Sequence, residues 1–387
     1  MPATGPAQLF PPSQAELETK GRIATLGMFI IDQFEVSDPN GTKRQTEEEA
    51  IGGGGVYAMM GSRLFLPPRH IGLVVDRGDD FPPAFEEKLD VLGEGVYWRK
   101  RQGGTTRALN IYSGGAVGQG HQSFRYLTPS LQIHLADLVR PPSPFAQNPP
   151  EWLHVVVRHP RARDIVTERG RTGRGKVEGV NRGWRPKMIW EPLDVQGGQS
   201  LGVEEWCRLA ADFEVISPNL LELQHILNID ADQQPGRGVK EQTELAAAQL
   251  RTKIQGIGRK APIIVVRVGK EGSYALSEGW TGWTPAYWQE EEQGRVVDPT
   301  GGGNGFLGGF GAGMILSGDD VRIATMFGAT AASFMIQQRG LPSYQPAQAE
   351  GAWGGEKWNG DDAWARVRTI AERMEPQGAQ ADSGLQI

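Results

Sequence analysis

Short apolar runs alternate with polar and glycine-rich stretches along this chain. The run Ile23-Ala24-Thr25-Leu26-Gly27-Met28-Phe29-Ile30-Ile31, ended by Asp32, predicts a buried first strand. His70-Ile71-Gly72-Leu73-Val74-Val75 predicts a second, closed by Asp76-Arg77-Gly78-Asp79-Asp80. Further apolar runs at 152–157, 188–190, 213–217 and 263–268 predict more core strands. These runs are continuous rather than alternating, as expected of strands covered on both faces. Helical patterns lie between them. One opens after Gly52-Gly53-Gly54-Gly55 and covers 56–64. Another covers 241–257, with Leu245, Ala248 and Leu250 on its apolar side. Two more cover 320–338, rich in small residues, and 361–374, with Trp364, Val367, Ile370 and Met374 on one face. Strands that alternate with helices predict an α/β fold. Its central sheet is mostly parallel, with helices on both faces.

Two regions depart from this rhythm. Residues 35–50 are polar and charged, and residues 96–127 alternate, as in Arg107-Ala108-Leu109-Asn110-Ile111-Tyr112. Alternation predicts antiparallel strands outside the main sheet. A small β lid from about 33–51 and 95–130 is the expectation. Residues 1–21 read as a disordered N-terminal arm, 22–341 as the main domain, and 342–387 as an extension with one helix and a disordered tail. Residues 158–187 hold ten basic side chains against three acidic ones, a local excess of +7. With its glycines this segment reads as a solvated loop. The alternative is docking of an acidic or phosphate-rich partner.

Composition narrows the classes. The 387 residues suffice for a large core, and 53 of them are Gly, about twice the usual ~7%. Those glycines cluster without a period, so they mark turns and loops that approach ligands. A net charge of −6 argues against bulk nucleic-acid or membrane-surface binding. The single cysteine, Cys207, excludes an internal disulfide and a thiolate zinc cage. Residues 1–20 have no apolar core, so no secretory leader is expected. No apolar run approaches the ~20 residues of a membrane span. A soluble cytoplasmic protein is the expectation. There is no Gly-x-Ser-x-Gly elbow, no His-x-x-x-His spacing, and no Gly-x-Gly-x-x-Gly after the first strand. Ser-His-Asp hydrolase, histidine metal-site and dinucleotide oxidoreductase readings therefore lack support.

The chemistry concentrates at Asp298-Pro299-Thr300-Gly301-Gly302-Gly303-Asn304, followed by Gly305-Phe306-Leu307-Gly308-Gly309-Phe310. The stretch follows the apolar pair Val296-Val297, read as a strand end, and leads into an apolar segment that can be helical. Strand, glycine turn and helix start together make an anion site. Glycines let backbone N–H groups converge, and the helix N-terminus adds partial positive charge. Two further patterns follow strands. Ser217-Pro218-Asn219-Leu220-Leu221-Glu222 places Asn219 and Glu222 one helical turn apart, which also reads as a capping box. Gly269-Lys270-Glu271-Gly272 reads equally as a tight hairpin.

In combination these motifs resemble the PfkB/ribokinase family of sugar and nucleoside kinases, over roughly residues 22–341. The resemblance implies a ribokinase-like fold and an ATP-dependent phosphotransferase. Its acceptor would be a hydroxyl of a sugar- or nucleoside-like small molecule. Gly301, Gly302 and Gly303 would form the anion hole. Asn219, Glu222, Gly269 and Gly272 would lie beside the nucleotide, with Glu222 holding Mg²⁺ through water. Asp298 and Thr300 match a potassium site found in part of the family. Asp32 would bind acceptor hydroxyls, and Gly53 and Gly54 would hinge the lid. Tyr57 stands near where the family commonly has a substrate-contacting Asn. The resemblance also implies a homodimer through the lid. One departure matters most. The family's signature ends in an Asp that deprotonates the acceptor, and here that position is Asn304, which cannot act as a base near neutral pH. The alternative is therefore a nucleotide-binding pseudokinase with a scaffold role. The Asp-Pro-Thr-Gly-Gly-Gly-Asn form resembles a divergent fungal branch linked to maintenance of double-stranded-RNA virus particles.

Overall fold

The computed structural model describes residues 9–37, 42–112, 121–175, 183–193, 201–230, 236–348 and 354–374. In chain order the strands are β1 (Ile23–Thr25), β2 (Ile30–Ser37), β3 (Lys43–Gly52), β4 (Ile71–Arg77), β5 (Val96–Lys100), β6 (Arg107–Tyr112), β7 (His121–Tyr126), β8 (Trp152–Val157), β9 (Lys187–Pro192), β10 (Val215–Ile216), β11 (Ile263–Arg267), β12 (Ser273–Leu276), β13 (Thr281–Thr284), β14 (Tyr344–Gln345) and β15 (Lys357–Trp358). The α-helices are α1 (Gln14–Glu18), α2 (Gly54–Arg63), α3 (Pro83–Leu89), α4 (Leu135–Val139), α5 (His159–Gly173), α6 (Val203–Ala210), α7 (Leu220–Ile226), α8 (Val239–Gly256), α9 (Gly302–Ser317), α10 (Val321–Met335) and α11 (Ala363–Met374).

The apolar runs form one sheet of nine strands in the order β13-β12-β11-β10-β9-β8-β1-β4-β5. Its strands from β11 to β5 pair in parallel, and β12 and β13 turn back as antiparallel hairpins. Helices cover both faces, which explains why β4 and β8 are apolar on successive residues. One layer of core contains α2, α9, α10 and α11, and the other contains α5, α6 and α8. The chain runs from β1 to β4 on one side and reaches β8 on the other. The strand order therefore reverses between β1 and β8, the kind of switch point beyond whose strand carboxyl ends open α/β sheets bind ligands. A four-stranded lid, β3-β2-β6-β7, forms a separate sheet.

Glycines set the distance between α9 and its neighbours. A Cβ at Gly308 would lie 1.7 Å from the Ala58 carbonyl oxygen of α2, and one at Gly313 would lie 2.6 Å from Ala324 Cα of α10. The glycine-rich helix is thus wedged between two helices at near-backbone contact. That fixes the position of its N-terminus, where the signature lies.

Several expectations are corrected. The first apolar run is not one strand. The Gly27 N–H donates to Thr25 Oγ1 at 2.9 Å, and the chain leaves the sheet beside Gly55. Residues 30–37 then belong to the lid, so Asp32 is a lid residue rather than a strand end. Residues 96–100, expected in the lid, pair with β4 in the main sheet, because the parallel register continues from Leu73 opposite Val96. Val296 and Val297 form no strand. They follow a 3₁₀ turn at Glu290–Arg295, and Val297 is exposed.

Residues 159–173 are helical rather than a loop. Their cations are largely engaged within the chain: Arg161 pairs with Glu168, Arg163 with Glu205, and the buried Arg169 with Glu214. Residues 176–182 lie outside the described residues. Leu245 is exposed on α8, whose buried side is Thr243, Ala246, Ala247, Leu250 and Ile254. Residues 9–20 of the expected arm are placed, with α1 closed by a Ser13–Glu16 capping box and Leu17 buried. Residues 1–8 and 375–387 lie outside the described residues. Finally, α11 is part of the main core through Trp364, Val367, Ile370 and Met374, so residues 354–374 are no peripheral extension.

Candidate functional site

The signature begins with a side chain that shapes its own turn. Asp298 is buried, and its Oδ1 accepts the Thr300 N–H at 2.9 Å. Gly301 then takes φ +76° and caps α9. No other residue fits there, since a Cβ would lie 2.2 Å from the Tyr57 ring. The first-turn amides of α9 have no partners in their own helix, and the helix dipole adds positive potential there. A cavity of about 260 Å³ lies alongside, lined among others by Arg267, Gly269, Gly272, Trp288, Gly302 and Gly303.

Beneath the helix start runs a buried polar network. Asn304 Nδ2 donates to Glu191 Oε2 at 2.6 Å. Glu191 Oε1 is 3.0 Å from Arg267 Nη1, and Glu191 Oε2 is 3.4 Å from His154 Nε2. His154 Nδ1 lies 3.0 Å from Thr25 Oγ1. On the other side Arg267 Nη2 is 3.5 Å from Glu222 Oε2 and donates to the Ser217 carbonyl at 3.1 Å. The strands bring these groups together. Glu191 and Arg267 sit near the carboxyl ends of β9 and β11, and His154 pairs with Thr25 across the β1/β8 switch point. Burial pushes the Glu191 carboxyl up. The Arg267 guanidinium, His154 and the Asn304 amide outweigh burial and hold it below the usual carboxylate range.

The lid meets the signature from the other side. Asp32 of β2 is buried, and burial raises its carboxyl to about 7, offset in part by the hydrogen bond from Asn110 of β6. Its Oδ1 has no partner among the described residues. Tyr57 is buried below it, its phenol pushed up by burial and by the nearby Asp32 and Asp298 carboxyls. Tyr112 of β6 hydrogen-bonds Thr300, tying lid to signature. Gly53 takes φ +92°, and a Cβ on Gly54 would lie 2.8 Å from Asn304 Nδ2. Asp32 thus lies near Tyr57, Tyr57 packs against Gly301, and Gly54 packs against Asn304, so these residues cluster at the start of α9.

Asn219 and Glu222 form a reciprocal capping box at the start of α7. Glu222 N–H donates to Asn219 Oδ1 at 2.9 Å, and Asn219 N–H donates to Glu222 Oε2 at 2.7 Å. Glu222 therefore faces an amide donor and a guanidinium. A carboxylate so engaged is a poor fit for holding hydrated Mg²⁺. Gly269 and Gly272 frame a one-turn 3₁₀ segment between β11 and β12, where hairpin and cavity wall coincide. Sequence reasoning missed Glu191, Arg267, His154, Asn110 and Tyr112. The available signal was a charged residue at the end of an apolar strand, as in Met188-Ile189-Trp190-Glu191 and Val265-Val266-Arg267.

Similarity to known proteins agrees with this fold. A model of the pfkB family carbohydrate kinases matches residues 197–348. Protein MAK32 of Saccharomyces cerevisiae is 31% identical over 359 residues, 89% of this chain and 90% of that protein. The chain belongs to the PfkB family. An uncharacterised protein of Schizosaccharomyces pombe is 27% identical over 380 residues, 92% of this chain and 94% of its own. Both relatives are fungal, in line with the branch that the signature variant resembles. Among solved structures, ribokinase from Cryptococcus neoformans in complex with ADP has a TM-score of 0.58 at 18% identity, covering 92% of this chain and 99% of that one. Arabidopsis thaliana ribokinase with ribose and ATP has a TM-score of 0.54 at 16% identity, covering 84% and 95%. Phosphofructokinase-2 from Escherichia coli with potassium has a TM-score of 0.56 at 14% identity, covering 92% and 99%. These structures share the ribokinase fold. Among the described residues no helix is long and apolar enough to cross a membrane.

Proposed function

We propose that this PfkB-family chain binds ATP or ADP in the cavity beside α9. It transfers the terminal phosphoryl group to a hydroxyl of a sugar- or nucleoside-like molecule held under the lid. The observation that carries the reading is a juxtaposition. The cavity lined by Gly269, Gly272, Gly302 and Gly303 lies at the start of α9, where Asn304 packs against Gly54 and Gly301 against Tyr57. The solved relatives with ADP, or with ribose and ATP, support it by fold alone. In this reading the α9 amides receive the phosphates, and charge that builds during transfer is stabilised there. The buried Asp32 carboxyl receives acceptor hydroxyls. Asn304 gives its amide hydrogen to Glu191, which leaves its carbonyl oxygen to orient the attacking hydroxyl. It takes no proton. Phosphoryl transfer passes through a loose transition state in most analyses, so positioning and charge carry most of the catalysis. Loss of a general base costs roughly 10²–10⁴-fold, so slow turnover is expected. Asp298 and Thr300 form the corner at which potassium would bind, an oxygen-rich setting suited to a hard cation.

A second reading is nucleotide binding without turnover. It is favoured by the Asn304–Glu191 bond, which commits the base position to a structural partner. Titration calorimetry with ADP and ATP, followed by mass spectrometry of a panel of pentoses, hexoses and nucleosides incubated with ATP, tests both. Phosphorylated product supports the kinase, and binding without product supports the second reading. Folded protein that binds no nucleotide at millimolar concentration refutes both.

A further inference from the structure

The guanidinium of Arg267 lies between the two halves of the site. It faces Glu191 at 3.0 Å and Glu222 at 3.5 Å. Its Nε is buried and has no partner among the described residues. The side chain also lines the cavity, and its Nη1 approaches the helix start so closely that a Cβ on Gly303 would lie 1.9 Å away. A fixed positive charge therefore touches the place where the helix amides would receive phosphate oxygens. Two features shift the local charge in the same direction. Residue 304 is an amide where the family signature has a carboxylate, and Glu222 already has a cation beside it. Both remove negative charge that a divalent ion would otherwise neutralise. A hydrated dication next to Glu222 would instead meet the like charge of Arg267.

We propose that Arg267 takes the place of the divalent cation, so that this chain binds the free polyphosphate of a nucleoside di- or triphosphate without Mg²⁺. The inference rests on the nucleotide reading of the cavity. Arginine suits the role. Its charge is permanent, and its planar fork matches two phosphate oxygens at once, which the compact ammonium of lysine does not. The contact it would exchange is the one to Glu222, the longest of its polar contacts. The contact to Glu191 stays and holds the guanidinium in the site.

The test is calorimetric titration of ADP into the full chain, once with EDTA and once with excess Mg²⁺. The wild type binds in EDTA with a Kd within about threefold of its value in Mg²⁺, a difference below ~1 kcal/mol. Arg267→Met weakens binding in EDTA by about tenfold or more, the value of a charge-assisted hydrogen bond. It also makes the remaining affinity rise with Mg²⁺, because Glu222 is then unpartnered by the guanidinium. Glu222→Gln decides the matter if Arg267→Met fails to fold, since it leaves the Glu191–Arg267 pair intact. It releases the guanidinium, so ADP binds more tightly in EDTA. Wild-type binding that requires Mg²⁺ overturns the inference while leaving the nucleotide reading standing. So does a Glu222→Gln variant with unchanged or weaker binding in EDTA. No binding in either buffer overturns the nucleotide reading, and the inference with it.

Discussion

Asp32 offers the cleanest physical test of the lid. Its carboxyl is buried, and burial raises it from 3.8 to about 7 despite the hydrogen bond from Asn110. The sign follows from proton counting. Below about pH 4 the folded and unfolded chains both carry the proton, so Asp32 imposes no ionisation penalty. Between about pH 4 and 7 the unfolded chain releases its proton while the folded chain keeps it, and stability falls as pH rises. Above about 7 the folded carboxyl ionises too and the loss levels off. At ~1.36 kcal/mol per pKa unit, the full loss is about 4 kcal/mol. Asp32→Asn keeps the shape and removes the ionisation. Its stability relative to wild type should be about 1 kcal/mol at pH 4.5 and rise to about 4 kcal/mol at pH 8. With an unfolding entropy of ~2.1 cal/mol/K per residue, that is about 5 °C in Tm for a chain of this size. Thermal unfolding of both proteins across pH 4.5–8 measures it, and the difference curve cancels the common contribution of other carboxylates. Parallel curves would refute the burial argument, and with it the view that the lid holds a largely protonated carboxyl at pH 6.

Three further outcomes follow from the structure. Gly301→Ala forces a Cβ into the Tyr57 ring at a left-handed φ, so it should destabilise the fold by about 1–3 kcal/mol and weaken ADP binding; calorimetry and urea melts that match wild type would count against the turn geometry. Glu356→Gln removes the partner of Arg63 at 2.8 Å in a pair that is almost wholly buried, and should cost about 3–5 kcal/mol in urea unfolding; a loss under about 1 kcal/mol would mean the pair is hydrated. Asn304→Asp places a second carboxylate against Glu191 where the amide now donates at 2.6 Å, so it should lower stability at pH 8 more than at pH 5 and give no gain in turnover; Asn304→Asp with Glu191→Gln should recover stability, and melts that show no such recovery would refute the coupling.

The fold was legible because its strands are buried on both faces. Runs such as Ile71–Val75 and Ile263–Val266 announce core strands without help from distant residues, and glycine clusters mark the turns at strand ends. The Asn219–Glu222 capping box was legible too, because it is a local event four residues long. What escaped depends on contacts far apart in sequence. Whether 30–37 continues β1 or joins the lid is decided by pairing with β3 and β6, and local hydrophobicity is the same in either case. Leu245 fits an apolar stripe on α8, yet the helix turns Thr243, Ala246, Ala247, Leu250 and Ile254 inward and leaves Leu245 exposed. In the site, single residues were readable and their partners were not. Asn304 stood out as a departure from a signature. Its meaning lay 113 residues away in Glu191, at the end of a different strand.

The coupling of these two residues explains how a site can lose its signature carboxylate and keep its shape. A carboxylate at 304 and one at 191 in hydrogen-bonding contact could not both ionise, because like charges at that separation force one to keep a proton. With an amide at 304 the conflict disappears. Glu191 can then stay ionised under Arg267, His154 and the Asn304 N–H, each of which lowers its carboxyl against the cost of burial. The arrangement therefore trades a titratable group at the helix start for a fixed one beneath it. A buried ion pair of this kind contributes modestly to stability but specifies geometry, since removing either partner strands a charge in the interior. The specified geometry is the position of Arg267, pressed against Gly303 at the mouth of the cavity. In this view Asn304 is the group that permits a guanidinium to be anchored at the phosphate side of the site. If Arg267 replaces the dication as proposed, proton chemistry and metal dependence change together, because both follow from the same exchange of charge.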